Sequence, residues 1–200
     1  MAGTQAIYGV SWALKTYIEN AYANAMNQAI PTVSLKAPHE VSAGLTSQEG
    51  DGFTLCIYRI SMQYSNPNLG NRKDGLRTYQ PSLPLDLHFL MTPWAKGVAN
   101  QHRMLGWLMR ALEDMGPLPA EVINGWLPEP VFRADESVEL RYEPLATADY
   151  FNLWDKFREK FPLSATYVAR AVMLDSPVPI GDGKPVTTRE FKLGRPPMPA

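Results

Sequence analysis

Asp86 and His88 stand two residues apart in the run Leu83-Pro84-Leu85-Asp86-Leu87-His88-Phe89, so on an extended strand both side chains project from one face. That spacing could orient an imidazole for base catalysis or, with His102 further along, hold a metal. A small hydrolase of this kind also needs a nucleophile beside its base, and the sequence suggests none near this run. The plainer reading is a pair of polar positions on a half-buried strand face or at an interface edge. His39 falls in a loop and His102 on a helix stripe, and neither has the close Cys, His or Asp spacing of a zinc site. Cys56, the single cysteine, is flanked by Leu55 and Ile57 with no histidine nearby, which predicts a buried, inert thiol.

Gly181-Asp182-Gly183-Lys184 invites a phosphate-loop reading. That motif needs a glycine where Val178 stands and a serine or threonine where Pro185 stands, with a helix to follow, so the segment reads as a turn. Trp94, Trp107, Trp126 and Trp154 could stack nucleic-acid bases, but they fall on different elements without interleaved basic residues, and packing is the default. No metal, cofactor or small-ligand cradle emerges. The reading is of a protein that is not an enzyme and works through its surfaces.

The bulk numbers agree. A chain of 200 residues is the size of one domain and can bury a core without metal or disulfide. The net charge of −1 argues against nucleic acid, whose phosphates call for a basic surplus. No stretch approaches the roughly 18 apolar residues that span a bilayer, and no signal peptide opens the chain. Synthesis in the cytoplasm is therefore expected, and contact with a membrane is left open.

Apolar residues recur at helical spacing over residues 4–28, with Thr4 as N-cap, until Ile30-Pro31. A short extended piece, 32–36, precedes a loop through Pro38, Gly44 and Gly50-Asp51-Gly52. Residues 53–63 form the clearest strand, with Phe53, Leu55, Ile57 and Arg59 on one face and Thr54, Cys56, Tyr58, Ile60 and Met62 on the other. Residues 64–80 read as a long polar loop carrying Arg72, Lys73 and Arg77. A strand over 83–91 leads to a helix over 97–115 with Val98, His102, Leu105, Leu108, Met109 and Leu112 on its apolar stripe, closed by Gly116-Pro117. Shorter strands are expected at 122–127 and 138–143, then a helix at 147–160 with Tyr150, Leu153, Trp154 and Phe157 inward. The last strand, 165–175, sets Thr166, Val168, Arg170 and Val172 against Tyr167, Ala169, Ala171 and Met173. From Ser176 the chain is rich in proline and glycine and carries no apolar period. This order implies an α+β fold, a small mixed sheet flanked by about three helices, over residues 1–175, with an extended tail over 176–200.

Three segments carry a family resemblance. They are Tyr58-Arg59-Ile60 with the Asn-rich loop of Asn66, Asn68, Asn71 and Arg72; the run from Leu83 through Thr92-Pro93-Trp94 into His102-Arg103-Met104-Leu105-Gly106-Trp107; and Tyr150 to Trp154 with Ser164-Ala165-Thr166-Tyr167-Val168-Ala169-Arg170-Ala171-Val172-Met173-Leu174-Asp175. In this order the chain resembles the cap, or tail-terminator, proteins of extracellular contractile injection systems over roughly residues 5–176. It departs from them at Thr147-Ala148-Asp149-Tyr150, where a more acidic, leucine-rich helix start is usual.

The resemblance implies a tail-terminator-like fold and a structural role. The implied assembly is a homo-hexameric ring seated on the distal end of inner tube and sheath, with both as partners, stopping polymerisation and fixing length. The candidate interface residues are Arg72, Lys73 and Arg77 in the loop, Asp86 and His88 on the strand, and Lys184, Arg189 and Arg195 in the tail. A baseplate or sheath-associated adaptor of the same particle is the alternative role. The hydrolase reading requires Asp86, His88 and His102 to converge in a pocket.

Overall fold

The computed structural model describes residues 3–26, 31–43, 50–62, 70–75, 77–155 and 162–180. In chain order the elements are α1 (Ala6–Met26), β1 (Thr32–Leu35), a 3-10 helix (Pro38–Ala43), β2 (Gly52–Met62), β3 (Arg72–Asp74), β4 (Arg77–Tyr79), β5 (Leu83–Trp94), α2 (Val98–Met115), β6 (Leu118–Pro119), α3 (Ala120–Gly125), β7 (Ser137–Tyr142), α4 (Thr147–Asp155) and β8 (Ala165–Leu174). Six strands form one mixed sheet in the order β1-β2-β5-β8-β7-β6, in which only β1 and β2 run parallel. The architecture is the mixed α+β sheet expected, with four α-helices among the described residues where about three were expected.

One sheet face carries the main core. Phe53, Leu55, Leu87, Phe89, Met91, Tyr167 and Ala169 meet Val10, Leu14 and Ile18 of α1 and Met104, Leu105, Leu108 and Leu112 of α2. Tyr22, Phe53 and Trp107 close this layer with ring centroids 4.7–6.1 Å apart. The Tyr17 hydroxyl donates to the Ala111 carbonyl at 2.9 Å and ties α1 to α2. Gly9 lets α1 approach α3 and the chain after it, because a Cβ there would sit 2.9 Å from the Phe132 ring. The opposite face is covered by the 3-10 helix and α4, where Val41, Cys56 and Leu90 pack with Tyr58, Tyr150 and Leu153. Phe157 lies outside the described residues.

Two one-residue bulges break the alternation expected of the long strands. Between Ile57 and Arg59 the register of β2 against β5 shifts, so Arg59 pairs with His88 and Ile60 with Leu87. Arg59 thereby moves to the second face, while Ile60 and Met62 join the face of Leu85 and Leu87, the reverse of the strict alternation. On the other side of β5, the register against β8 shifts between Leu85 and Leu87, leaving an extra residue near Ala171, whose φ is 58°. Val172 therefore pairs with Leu85 in the core, not with the face of Thr166 and Val168.

Residues 122–127, expected as a strand, are instead α3 and its exit. An apolar run this short fits either structure, and Asn124 decides it. Its amide nitrogen donates to the Phe132 carbonyl at 2.7 Å, and its oxygen accepts from the amides of Val131 and Phe132 at 2.8 and 2.9 Å. On α2 the apolar stripe begins at Met104, and Val98 and His102 are exposed on the first turns.

Candidate assembly surface

His88 is buried on the second sheet face, where its Nδ1 lies 2.5 Å from a Glu143 carboxylate oxygen and its Nε2 2.8 Å from Ser61 Oγ. A carboxylate only accepts, so Nδ1 donates to Glu143, and in the neutral ring Nε2 accepts the Ser61 hydroxyl. Tyr58 packs edge-on against the imidazole with centroids 6.0 Å apart. Hydroxyl, imidazole and carboxylate follow the order that activates a serine in hydrolases. Ser61, however, is held inside the β2–β5 ladder opposite Asp86, and neither of the two surface clefts described below is lined by these residues.

Asp86, half-buried, shares the face of His88 but is not its carboxylate partner. His102 is exposed on α2, which covers the opposite face. The trio of Asp86, His88 and His102 does not converge. Cys56 is buried, and desolvation, aided by Glu40, pushes its thiol up to about 12. Sequence reasoning missed Glu143 and Ser61, which lie 55 and 27 residues from His88 and meet it only through strand register.

Within the segment read as a loop, β3 and β4 form a hairpin, Arg72 opposite Tyr79 and Asp74 opposite Arg77. Residues from Ser176 onward join it: the Gln80 amide donates to Val178 at 3.1 Å and the Ile180 amide to Thr78 at 2.8 Å. Tyr79 and Pro179 form an isolated antiparallel bridge, so the start of the tail lies along the outer side of β4. Arg72, expected on a long polar loop as a candidate interface residue, is buried beneath this small sheet. Its guanidinium lies 3.7 Å from Asp175, donates to the Ser176 carbonyl at 3.1 Å and stacks on the Tyr79 ring at 4.3 Å. Asp175, also buried, accepts from the Ser82 hydroxyl at 2.5 Å. A guanidinium taken out of water needs such fixed partners. Lys73 and Arg77 are exposed on the hairpin. Lys184, Arg189 and Arg195 lie outside the described residues.

The outer edge of β2 is a second surface. β1 pairs with it only as far as Leu55, whose carbonyl accepts from the Lys36 amide at 2.9 Å before the chain turns off at Pro38. Beyond that point no strand flanks β2 on this side among the described residues. A groove of about 330 Å³ opens there, lined by Leu35, Lys36, Pro38, Ile57 and Phe89 among others. Next to it Ile60 and Met62 are 48% and 45% exposed, and Leu83 across the sheet is 48% exposed. A smaller cleft of about 230 Å³ lies between Tyr8 of α1 and Leu127 to Glu129. No described helix is long and apolar enough to cross a membrane.

Comparison with known proteins gives this geometry a context. The profile of the Pvc16 N-terminal domain family matches residues 9–188. No curated protein matches the chain by sequence. The fold is similar to that of the sheath/tube terminator of PVC, an extracellular contractile injection system, in its extended state, with a TM-score of 0.62 at 14% identity over 97% of this chain and 65% of that one. It is also similar to the tube-terminating cap of the anti-feeding prophage, with a TM-score of 0.58 at 11% identity over 93% of this chain and 59% of that one. The chain therefore spans about three-fifths of the length of these two proteins.

Proposed function

Because this chain belongs to the Pvc16 N-terminal domain family, we propose that it is a structural cap, the sheath and tube terminator of a contractile injection system, and not an enzyme. The observation that carries the reading is that nearly the whole chain follows the backbone of a sheath/tube terminator despite very low sequence identity. Buried polar groups here hold elements together: Arg72 and Asp175 fix the hairpin, and His88 ties Ser61 to Glu143.

In this role the subunit joins a homo-hexameric ring on the distal end of the particle, contacting inner tube and sheath. A closed ring made of identical contacts needs two different, mutually complementary patches per subunit. The hairpin with Lys73 and Arg77, together with the tail carrying Lys184, Arg189 and Arg195, supplies one candidate, and the outer edge of β2 another. Arg72 and His88 are buried in the subunit and act through the segments they hold.

Electron microscopy of particles from cells with and without the gene tests the reading. Loss of the protein is expected to give overlong, ragged or missing sheath–tube particles, restored on complementation. Particles of normal and uniform length in the deletion strain overturn it.

A further inference from the structure

The open edge of β2 presents backbone groups as well as apolar side chains. Leu55 turns its carbonyl outward to Lys36, and alternate residues of a strand aim their amides and carbonyls to the same side, so Ile57 presents its own outward with no strand to meet it among the described residues. A strand edge of this kind is a template for another extended segment. The bulge at Tyr58 sets what that segment must look like. It places Ile60 and Met62 on one face, exposed, and Arg59, also exposed, on the other. A complementary strand therefore needs two apolar residues two positions apart and an acidic residue on the opposite face beside the first.

The chain contains such a segment. Val186-Thr187-Thr188-Arg189-Glu190-Phe191-Lys192-Leu193 is bounded by Pro185 before it and by Gly194 and Pro196 after it, and is rich in β-branched and aromatic residues. The run is too short to register as a period. In an extended strand, alternation would put Phe191 and Leu193 on one face and Glu190 and Lys192 on the other. The residues before it, Val178 to Ile180, already bond β4 and the residue after it through an isolated bridge and two backbone hydrogen bonds.

We propose that residues 188–193 of one subunit add as a strand to the open edge of β2 in the neighbouring subunit. The strand runs parallel to β2, as β1 does, with Phe191 beside Ile60, Leu193 beside Met62 and Glu190 beside Arg59. The groove where β1 leaves the sheet is the point of entry. The tail and the β2 edge are then the two unlike patches that a closing ring requires. The inference rests on the cap reading and names the contact between copies.

Particles purified from cells that express the full-length chain provide the test. Arg59→Glu and Glu190→Arg, each alone, are expected to reduce the fraction of particles of normal length several-fold, and the double charge swap to restore it. Arg59 is exposed, so an unchanged melting temperature of the single variant separates misfolding from lost contact. In a second arm, cells carry two differently tagged copies, one Ile60→Cys and one Phe191→Cys. Neighbouring strands lie about 4.8 Å apart, within disulfide reach, and a disulfide-linked dimer of the two tags is expected on mild oxidation. The native Cys56 is buried and does not compete. Absence of the mixed dimer, or a crosslink formed only within a chain carrying both substitutions, overturns the proposal, as does failure of the swap to rescue. If gene deletion deranges particle length while these variants have no effect, the strand contact falls and the cap reading stands. If deletion itself has no effect, the cap reading falls first.

Discussion

Ala171 holds a backbone conformation that few residues tolerate. At φ 58° its Cβ crowds the following carbonyl, a strain of about 1–2 kcal/mol for a residue other than glycine. It is the extra residue of the β8 bulge, and both it and Arg170 are exposed, so nothing packed is lost by removing the methyl. Glycine lifts the strain but adds unfolded-state freedom of about 0.5–1 kcal/mol. Ala171→Gly is expected to stabilise the subunit by about 0.5–1 kcal/mol and to raise Tm by about 1–4 °C in a thermal melt. A lower Tm would show that the bulge does not draw its strain from this Cβ. The bulge was not legible in the sequence, and neither was its counterpart in β2. Tyr58, Ile60 and Met62 are all apolar, so the pattern past Ile57 satisfies either register, and one inserted residue leaves no mark on it. His88 was legible as a polar strand residue. Its partners were not, since Glu143 reaches it only through the pairing of two distant strands.

Long strands and amphipathic helices announced themselves in the sequence: α1, β2, β5, α2 and β8 lie close to where periodicity puts them. Of the short elements, β1 and β7 were also placed, but α3 and the hairpin were not, because a handful of residues carries too little pattern for propensity to outvote tertiary contacts. α3 turned from strand to helix through the three bonds of Asn124, and the hairpin β3–β4 was hidden in a turn-rich, charged segment that looked solvated. The element that holds this hairpin is a single cation. Arg72 has a side chain only 5% exposed and faces Asp175, at 2%. Removing one partner of a buried pair strands the other charge, which typically costs about 3–5 kcal/mol. The separations of 3.6–3.7 Å to Asp74 and Asp175 place this pair at the weaker end of that range. Arg72→Ala is therefore expected to destabilise the subunit by about 3 kcal/mol, a fall in Tm of roughly 6–12 °C. Hydrogen exchange should rise first at the amides of Gln80 and Ile180, which bond across the hairpin and tail. A variant melting within a degree or two of the wild type would mean that the tail holds the hairpin without the guanidinium.

For the whole molecule, the segments around Leu83 to Trp94 and Ser164 to Asp175 carried the resemblance read from the sequence, and the fold is similar to those of two solved proteins at 14% and 11% identity. Both segments lie on the central strands β5 and β8 of the sheet. The tail expected from Ser176 begins with residues that bond the hairpin, as far as Ile180. Two truncations separate these limits. A chain ending at Ile180 keeps every bond described between tail and hairpin, so its Tm is expected to stay within about 2 °C of the full chain, while the fraction of particles of normal length falls several-fold. A chain ending at Asp175 loses the Ser176 carbonyl from Arg72 and both bonds that join Val178 and Ile180 to the hairpin. At about 0.5–1.5 kcal/mol each, these three bonds should lower Tm by roughly 3–18 °C. Equal melting of the two truncated chains would place residues 176–180 outside the fold. Normal particle length with the chain ending at Ile180 would place the capping surface entirely on the body of the subunit, and the ring would then have to close through the sheet and helices alone.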